Sequence, residues 1–285
     1  MAMFSIKPNP MLEFVFSDSG AALYQVYFDG APMLYSRDEE SFESPNVEYF
    51  GQFVGPVAGR IRDGVVKGFV FEPNENDNVV HSSTLAWCWK PFTHKIEETD
   101  SNYIVSFFRE DKLFGGIYRA EADYSLSKTE PSFTLKLRFT CTKDCPCNMT
   151  SHLYFSLGET DMANVTLKLQ NDARMSYTAS NLPIGFIEAR EPYNFGEGRK
   201  LDFPLDHALH LSSPYIEAWG EKYGLKAHTN EKTVVVYVDI PSRVNTGASK
   251  GFTLEFVRYP KCDAEMILPE GQTEIVSMDY TFYKR

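Results

Sequence analysis

Apolar and polar residues alternate with a period of two along most of the chain. In SFTLKLRFT, Phe133, Leu135, Leu137 and Phe139 fall on one side, and Thr134, Lys136, Arg138 and Thr140 on the other. That is the pattern of a strand with one buried face. MLEFVF (11–16) and ALYQVYF (22–28) flank the turn-rich SDSG and predict a hairpin. THKIEE (93–98) and YIVSFFRE (103–110), joined by TDSN, predict a second. KTVVVYVDI, GFTLEFVRY and TEIVSMDYTFY continue the series towards residue 283. No segment carries an apolar stripe at helical spacing over ten or more residues. Pro and Gly punctuate the chain in PNENDN, NFGEGRK and LPEGQ, in runs too short for an interdomain linker. The pattern predicts an all-β fold: one large antiparallel domain over residues 1–285, built from two packed sheets.

Composition strengthens the strand reading, since 22 Phe and 16 Tyr favour sheets and supply a large core. The net charge of −11 argues against a nucleic-acid partner or an anionic membrane surface, both of which call for clustered Lys and Arg. The odd set Cys88, Cys141, Cys145, Cys147 and Cys262 predicts free thiols in a reducing compartment. MAMFSIKPNPML has neither the basic nor the apolar region of a signal peptide, and no apolar run approaches the roughly 20 residues of a membrane span. The expected location is therefore cytoplasmic. CTKDCPC (141–147) has no usual zinc spacing, so its thiols read as structural cysteines at a strand end rather than as a metal site.

Alternation also isolates candidate chemistry. Read as one strand, TSHLYFSL (150–157) puts Ser151, Leu153 and Phe155 on one face and His152 and Tyr154 on the other. In GFTLEFVRY, Phe252, Leu254 and Phe256 share a face opposite Thr253, Glu255 and Val257. The carboxylate on its apolar strand has two readings, a solvated outer face or a groove, and the imidazole is either a histidine satisfied by a neighbouring hydroxyl or carbonyl or a groove residue. On separate strands facing one groove, they make an acid–base pair. His81 sits at a strand end after Val79 and Val80, Arg60 lies in the glycine-rich GPVAGRIRDG, and Asp206 precedes an apolar ALHL run.

Together these segments resemble the aldose 1-epimerase (galactose mutarotase) family, in the expected order over nearly the whole chain. VGPVAGRIRDG (54–64) is similar to the family's V-G-R-x-A-N-R-I-x-x-G segment, with Arg60 at its second Arg. NVVHSS (78–83) resembles N-H-L-H-G-G, with His81 at the second His, and TSHLYFSL resembles T-N-H-x-Y-F-N-L, with His152 on the catalytic histidine. LDHALHL (205–211) resembles Y-D-H-N-F-V-L, placing Asp206 on the substrate-binding Asp. VDIPSRVNTG (238–247) resembles T-x-x-P-G-V-Q-x-Y-T-G, and GFTLEFVRYP resembles G-x-x-L-E-x-Q-x-x-P, setting Glu255 on the catalytic base. ILPEGQTEIVSMDYTF is similar to the family's closing segment.

The resemblance implies a β-supersandwich of two large twisted antiparallel sheets with a sugar groove on one of them. It implies a mutarotase acting on a hexose, as a monomer or homodimer, with no metal and no organic cofactor. Glu255 would take the proton from the C1 hydroxyl and His152 would protonate the ring oxygen, the nearby carboxylate favouring protonated His152 while burial opposes it. Arg60, His81 and Asp206 would hold the sugar. Trp87 has two readings, a core residue or a stacking platform for the sugar. The chain departs from the family at Pro56, Gly59, Ser82, Ser83, Ser151 and Ser242, and after Glu255 at Phe256 and Val257, which alters the sugar-contacting shell. A phosphosugar substrate would call for extra cations, with Arg258, Arg243 and Lys90 as candidates. A non-catalytic sugar sensor would have no need of the His152–Glu255 pair.

Overall fold

The computed structural model describes residues 2–36, 48–238, 250–261 and 264–285. Cys262, Arg243 and most of VDIPSRVNTG lie outside the described residues. Strand pairing produces a 13-stranded antiparallel sheet, a four-stranded sheet and four two-stranded pairs. Helical structure among the described residues is confined to single 3-10 turns, and none is long and apolar enough to cross a membrane.

The alternating segments form the strands expected of them. Leu12–Ser17 pairs with Ala22–Phe28, and Thr93–Glu98 with Asn102–Leu113, as the two hairpins. Ser132–Cys141 buries Phe133, Leu135, Leu137 and Phe139, while Thr134, Lys136, Arg138 and Thr140 remain partly or fully exposed. It pairs with Thr273–Lys284 in the middle of the large sheet. From there the sheet continues through Tyr223–Thr229, Leu205–Trp219, Thr233–Val238, Phe252–Val257 and Tyr154–Phe155.

That sheet folds over on itself. Tyr223–Thr229 and Thr233–Val238 pair with different halves of Leu205–Trp219, both on the edge opposite Thr166–Tyr177, so Phe155 and Tyr280 lie on two separate branches of the sheet. Their rings nevertheless meet at 5.4 Å. Twist accumulated over many strands makes such closure possible, and burial of both inner faces drives it. The four-stranded sheet covers part of the same core through Phe14 on Phe133 at 5.4 Å and Phe16 on Tyr124 at 5.1 Å. The result is a β-sandwich of large antiparallel sheets.

Two local expectations change. TSHLYFSL is not one strand: Thr150–Ser151 pairs with Phe53–Val54 and Tyr154–Phe155 with the strand Phe252–Val257, so the chain changes partners at His152. Every residue from Cys145 to Leu157 is buried, and so is every residue of Phe252–Val257. A half-exposed strand needs one uncovered face, and here the segment around Tyr49–Phe53 closes the other. Cys88, Cys141, Cys145 and Cys147 are free and buried, Cys141 at the end of its strand as expected of structural thiols.

Candidate active site

Glu255 lies in the interior of Phe252–Val257, opposite Val235 on the neighbouring strand. Phe252, Leu254 and Phe256 enter the main core, so the alternation turns Thr253, Glu255 and Val257 towards a cavity on the other side. Its carboxylate is only 5% exposed. Across that cavity, His152 is held by its backbone: its N–H donates to the Gln52 carbonyl and its carbonyl accepts from Gly51 N–H, both at 3.0 Å. The two side chains come to 3.4 Å, Nε2 to Oε1. Burial excludes the solvated-face reading of Glu255, and the buried Nδ1 of His152 has no hydrogen-bond partner among the described residues that would make it a satisfied core histidine.

His81 is delivered by strained backbone. His81, Ser82 and Ser83 have φ of 51, 66 and 50°, three consecutive non-glycine residues in the left-handed region. Each costs of order 1 kcal/mol. Ser82 holds the run in place, its Oγ accepting from Val57 N–H at 2.8 Å and donating to the Val57 carbonyl at 2.9 Å. His81 Nδ1 accepts from Gly59 N–H at 3.2 Å. The neutral ring therefore carries its proton on Nε2. Its ring lies 5.5 Å from that of His152 and nearly perpendicular to it.

Arg60 begins the short strand paired with Val79–Val80. Glu75 grips it at two points, Nε to Oε2 at 2.7 Å and Nη2 to Oε1 at 3.1 Å. Its remaining Nη1 reaches Asp206 Oδ2 at 3.4 Å. Arg60, His81, His152, Asp206 and Glu255 thus come from five segments and line one cavity.

Sequence reasoning missed three residues of this cavity. Tyr49 is buried with its ring 4.7 Å from His81 and 5.6 Å from His152. Tyr177 accepts from Ala208 N–H at 2.9 Å, two residues beyond Asp206. Glu75 sits in PNENDN, which reads as a turn and nothing more. No motif marks them, since each is significant only through its neighbours. Trp87, by contrast, is fully buried against Phe53 and Phe139, at 5.4 and 5.3 Å. It is a core residue, and the platform role for it is withdrawn.

Burial dominates the electrostatics. It lowers His152 to about 3, and together with the charges of His152 and Arg60 it holds His81 well below its ordinary range. Burial, then repulsion from Asp206, raises Glu255 to about 8 against a hydroxyl from Thr253 and the charge of Arg60. The neighbouring carboxylate does not keep His152 charged in the free site, because two buried charges at this depth cost more than one neutral pair. Between about pH 3 and 8 the pair holds one proton, and that proton rests on Glu255.

His81, His152 and Glu255 also bring one donor atom each within 4.8 Å of one another, a spacing a metal ion could bridge. The donor set fits poorly. Nδ1 of His81 is already an acceptor for Gly59 N–H. Ligation through Nδ1 takes away that acceptor, and ligation through Nε2 moves the ring proton to Nδ1, donor against donor. The arrangement suits proton exchange.

Comparison with known proteins gives the chain its family and its fold relatives. The aldose 1-epimerase family model matches residues 3–264. The bifunctional protein GAL10 of Kluyveromyces lactis is 22% identical over 98% of this chain, which spans 46% of that protein's length. The galactose 1-epimerase structure from Lactobacillus acidophilus superposes with a TM-score of 0.90 at 21% identity, covering 99% of this chain and 94% of that one. The GalM/aldose epimerase homologue from C. elegans follows with a TM-score of 0.86 at 19% identity over 99% of both chains. With the family model spanning nearly its whole length, the chain belongs to the aldose 1-epimerase family.

Proposed function

We propose that this protein is a mutarotase that interconverts the α and β anomers of a hexose through the open-chain aldehyde, with His152 and Glu255 as the acid–base pair. The observation that carries the reading is that pair itself: two buried groups 3.4 Å apart in an acidic, sugar-sized cavity, holding one proton between them at neutral pH. Ring opening needs one proton removed from the C1 hydroxyl and one delivered to the ring oxygen, so a pair with one proton has the right stoichiometry.

The reaction starts once the shared proton has passed from Glu255 to His152 across their 3.4 Å contact, leaving ionised Glu255 and protonated His152. Glu255 takes the C1 hydroxyl proton as His152 protonates the ring oxygen and the ring bond breaks. The pair is left as neutral Glu255 and neutral His152, with the aldehyde free to turn about its C1–C2 bond. Closure on the other carbonyl face runs the same transfers backwards. The burial that lifts Glu255 and lowers His152 favours the uncharged pair. Ring opening therefore discharges an unfavourable buried ion pair, and the dry site stabilises the state reached in the intermediate. Each partner contributes roughly 10²–10⁴-fold. Arg60, Asp206 and the Nε2–H of His81 hold the sugar hydroxyls, and Tyr177 offers a further hydroxyl. The scheme draws on side chains alone.

The test follows the optical rotation of freshly dissolved α-D-glucose and α-D-galactose with the wild type and with Glu255→Gln. Acceleration that disappears in the variant supports the reading. A wild type that accelerates neither sugar overturns it, and an active Glu255→Gln overturns the assignment of the base.

A further inference from the structure

Resting on that mutarotase reading, we propose that Glu75 is a charge gate: it fills one edge of the Arg60 fork and offsets its positive charge, and so excludes sugars that carry an acid group. An unpaired guanidinium binds carboxylate or phosphate through two parallel N–H bonds along one edge of its fork. Glu75 occupies one such edge here, through Nε at 2.7 Å and Nη2 at 3.1 Å. Asp206 stands 3.4 Å from Nη1 on the other side. One proton on Nη1 and one on Nη2 are left for a substrate, donors for sugar hydroxyls on a guanidinium whose charge Glu75 and Asp206 already offset.

The grip is built rigidly. Glu75 N–H donates to the Asn78 carbonyl at 3.1 Å, and Asn78 N–H returns a bond to Glu75 at 3.0 Å. Asn78 Oδ1 accepts from Asp63 N–H at 3.1 Å, and Asn74 Oδ1 from Val80 N–H at 2.8 Å. The turn is thereby tied to the strand that precedes His81. Glu75 is 32% exposed at its side chain while Arg60 is 15% exposed, so the carboxylate covers the guanidinium from the solvent side.

Charge points the same way. Among the described residues that line the cavity, Arg60 is the one guanidinium or ammonium, against the carboxylates of Glu48, Glu75 and Asp206, with Glu255 protonated at rest. Two of the cations considered for a phosphosugar do not change this, and the third, Arg243, lies outside the described residues. Arg258 is paired with Glu231 at 3.4 Å and Glu274 at 2.6 Å, and neither it nor Lys90 lines the cavity.

The experiment compares kcat/KM for D-glucose with that for D-glucuronate and D-glucose 6-phosphate, by polarimetry corrected for spontaneous mutarotation. The wild type is expected to favour the neutral sugar at least tenfold. In Glu75→Gln an amide N–H faces the guanidinium, one grip is lost and one negative charge is removed. The ratio should then move towards the acidic sugars by roughly tenfold. Glu75→Asp keeps the charge and should keep the discrimination, whatever it does to the rate. Equal losses on neutral and acidic sugars in Glu75→Gln, with the ratio unchanged, would reduce Glu75 to a structural support and overturn the gate. Acidic sugars turned over by the wild type as well as neutral ones overturn it too. A wild type inactive on every sugar defeats the mutarotase reading and the gate with it, a result distinct from an unchanged ratio in an active enzyme.

Discussion

Replacing Glu255 with Gln is expected to stabilise the protein near neutral pH while it abolishes activity. Burial raises this carboxyl from 4.5 to about 8, so the folded state binds the proton more tightly than the unfolded chain. The stability conferred by that proton is complete below pH 4.5 and is lost as the pH rises through 8. pH 7 lies about 2.5 units above the unfolded value of 4.5, so keeping the carboxyl protonated there costs about 3 kcal/mol at 1.36 kcal/mol per unit. Glutamine has nearly the same shape and never ionises, so it escapes the cost. The gain should be about 3 kcal/mol at pH 7 and close to zero at pH 4.5. For a chain of this size, roughly 2 °C per kcal/mol converts the gain to about 6 °C in Tm. Thermal melts of both proteins at the two pH values measure it directly. A Tm difference that is the same at pH 4.5 and pH 7, or a variant less stable at pH 7, would refute the claim that burial strains this carboxylate.

Other outcomes follow from the same site. His152→Gln should lower kcat by 10²–10⁴-fold, as expected for loss of one proton-transfer partner, without unfolding the protein at pH 7. The pH profile of kcat/KM should fall above about pH 8, where the pair loses its shared proton; activity undiminished at pH 9.5, about 1.5 units higher, would remove Glu255 from that role. Because His152 falls from 6.5 to about 3 on burial, stability is lost as pH drops through that window, by about 2 kcal/mol at pH 5. His152→Gln should abolish this part of the acid sensitivity in urea titrations. Ser82→Ala strips the buried N–H and carbonyl of Val57 of their hydroxyl partner. That should cost about 2–3 kcal/mol of unfolding free energy and, by loosening His81, raise KM.

Much of this architecture is written in a short-range code. Phe133, Leu135, Leu137 and Phe139 alternate with polar residues, and that alternation needs no knowledge of the fold to announce a strand with a wet face. The hairpins around SDSG and TDSN are equally local, since turn residues and strand propensity act between near neighbours. Motif order over the chain pointed to Arg60, His81, His152, Asp206 and Glu255 as one set, and the structure brings all five to one cavity. Where the code failed, both sides of a segment were covered by remote chain. His152 marks a change of strand partners and Glu255 lies on a strand buried on both faces, because segments nearly a hundred residues away close over them. The grip of Glu75 on Arg60, the bond of Tyr177 to Ala208 and the proton resting on Glu255 belong to the tertiary structure alone. Alternation sets which way a side chain points. Only the folded sheet sets how dry its surroundings are, and for an acid–base pair that dryness decides where the proton sits.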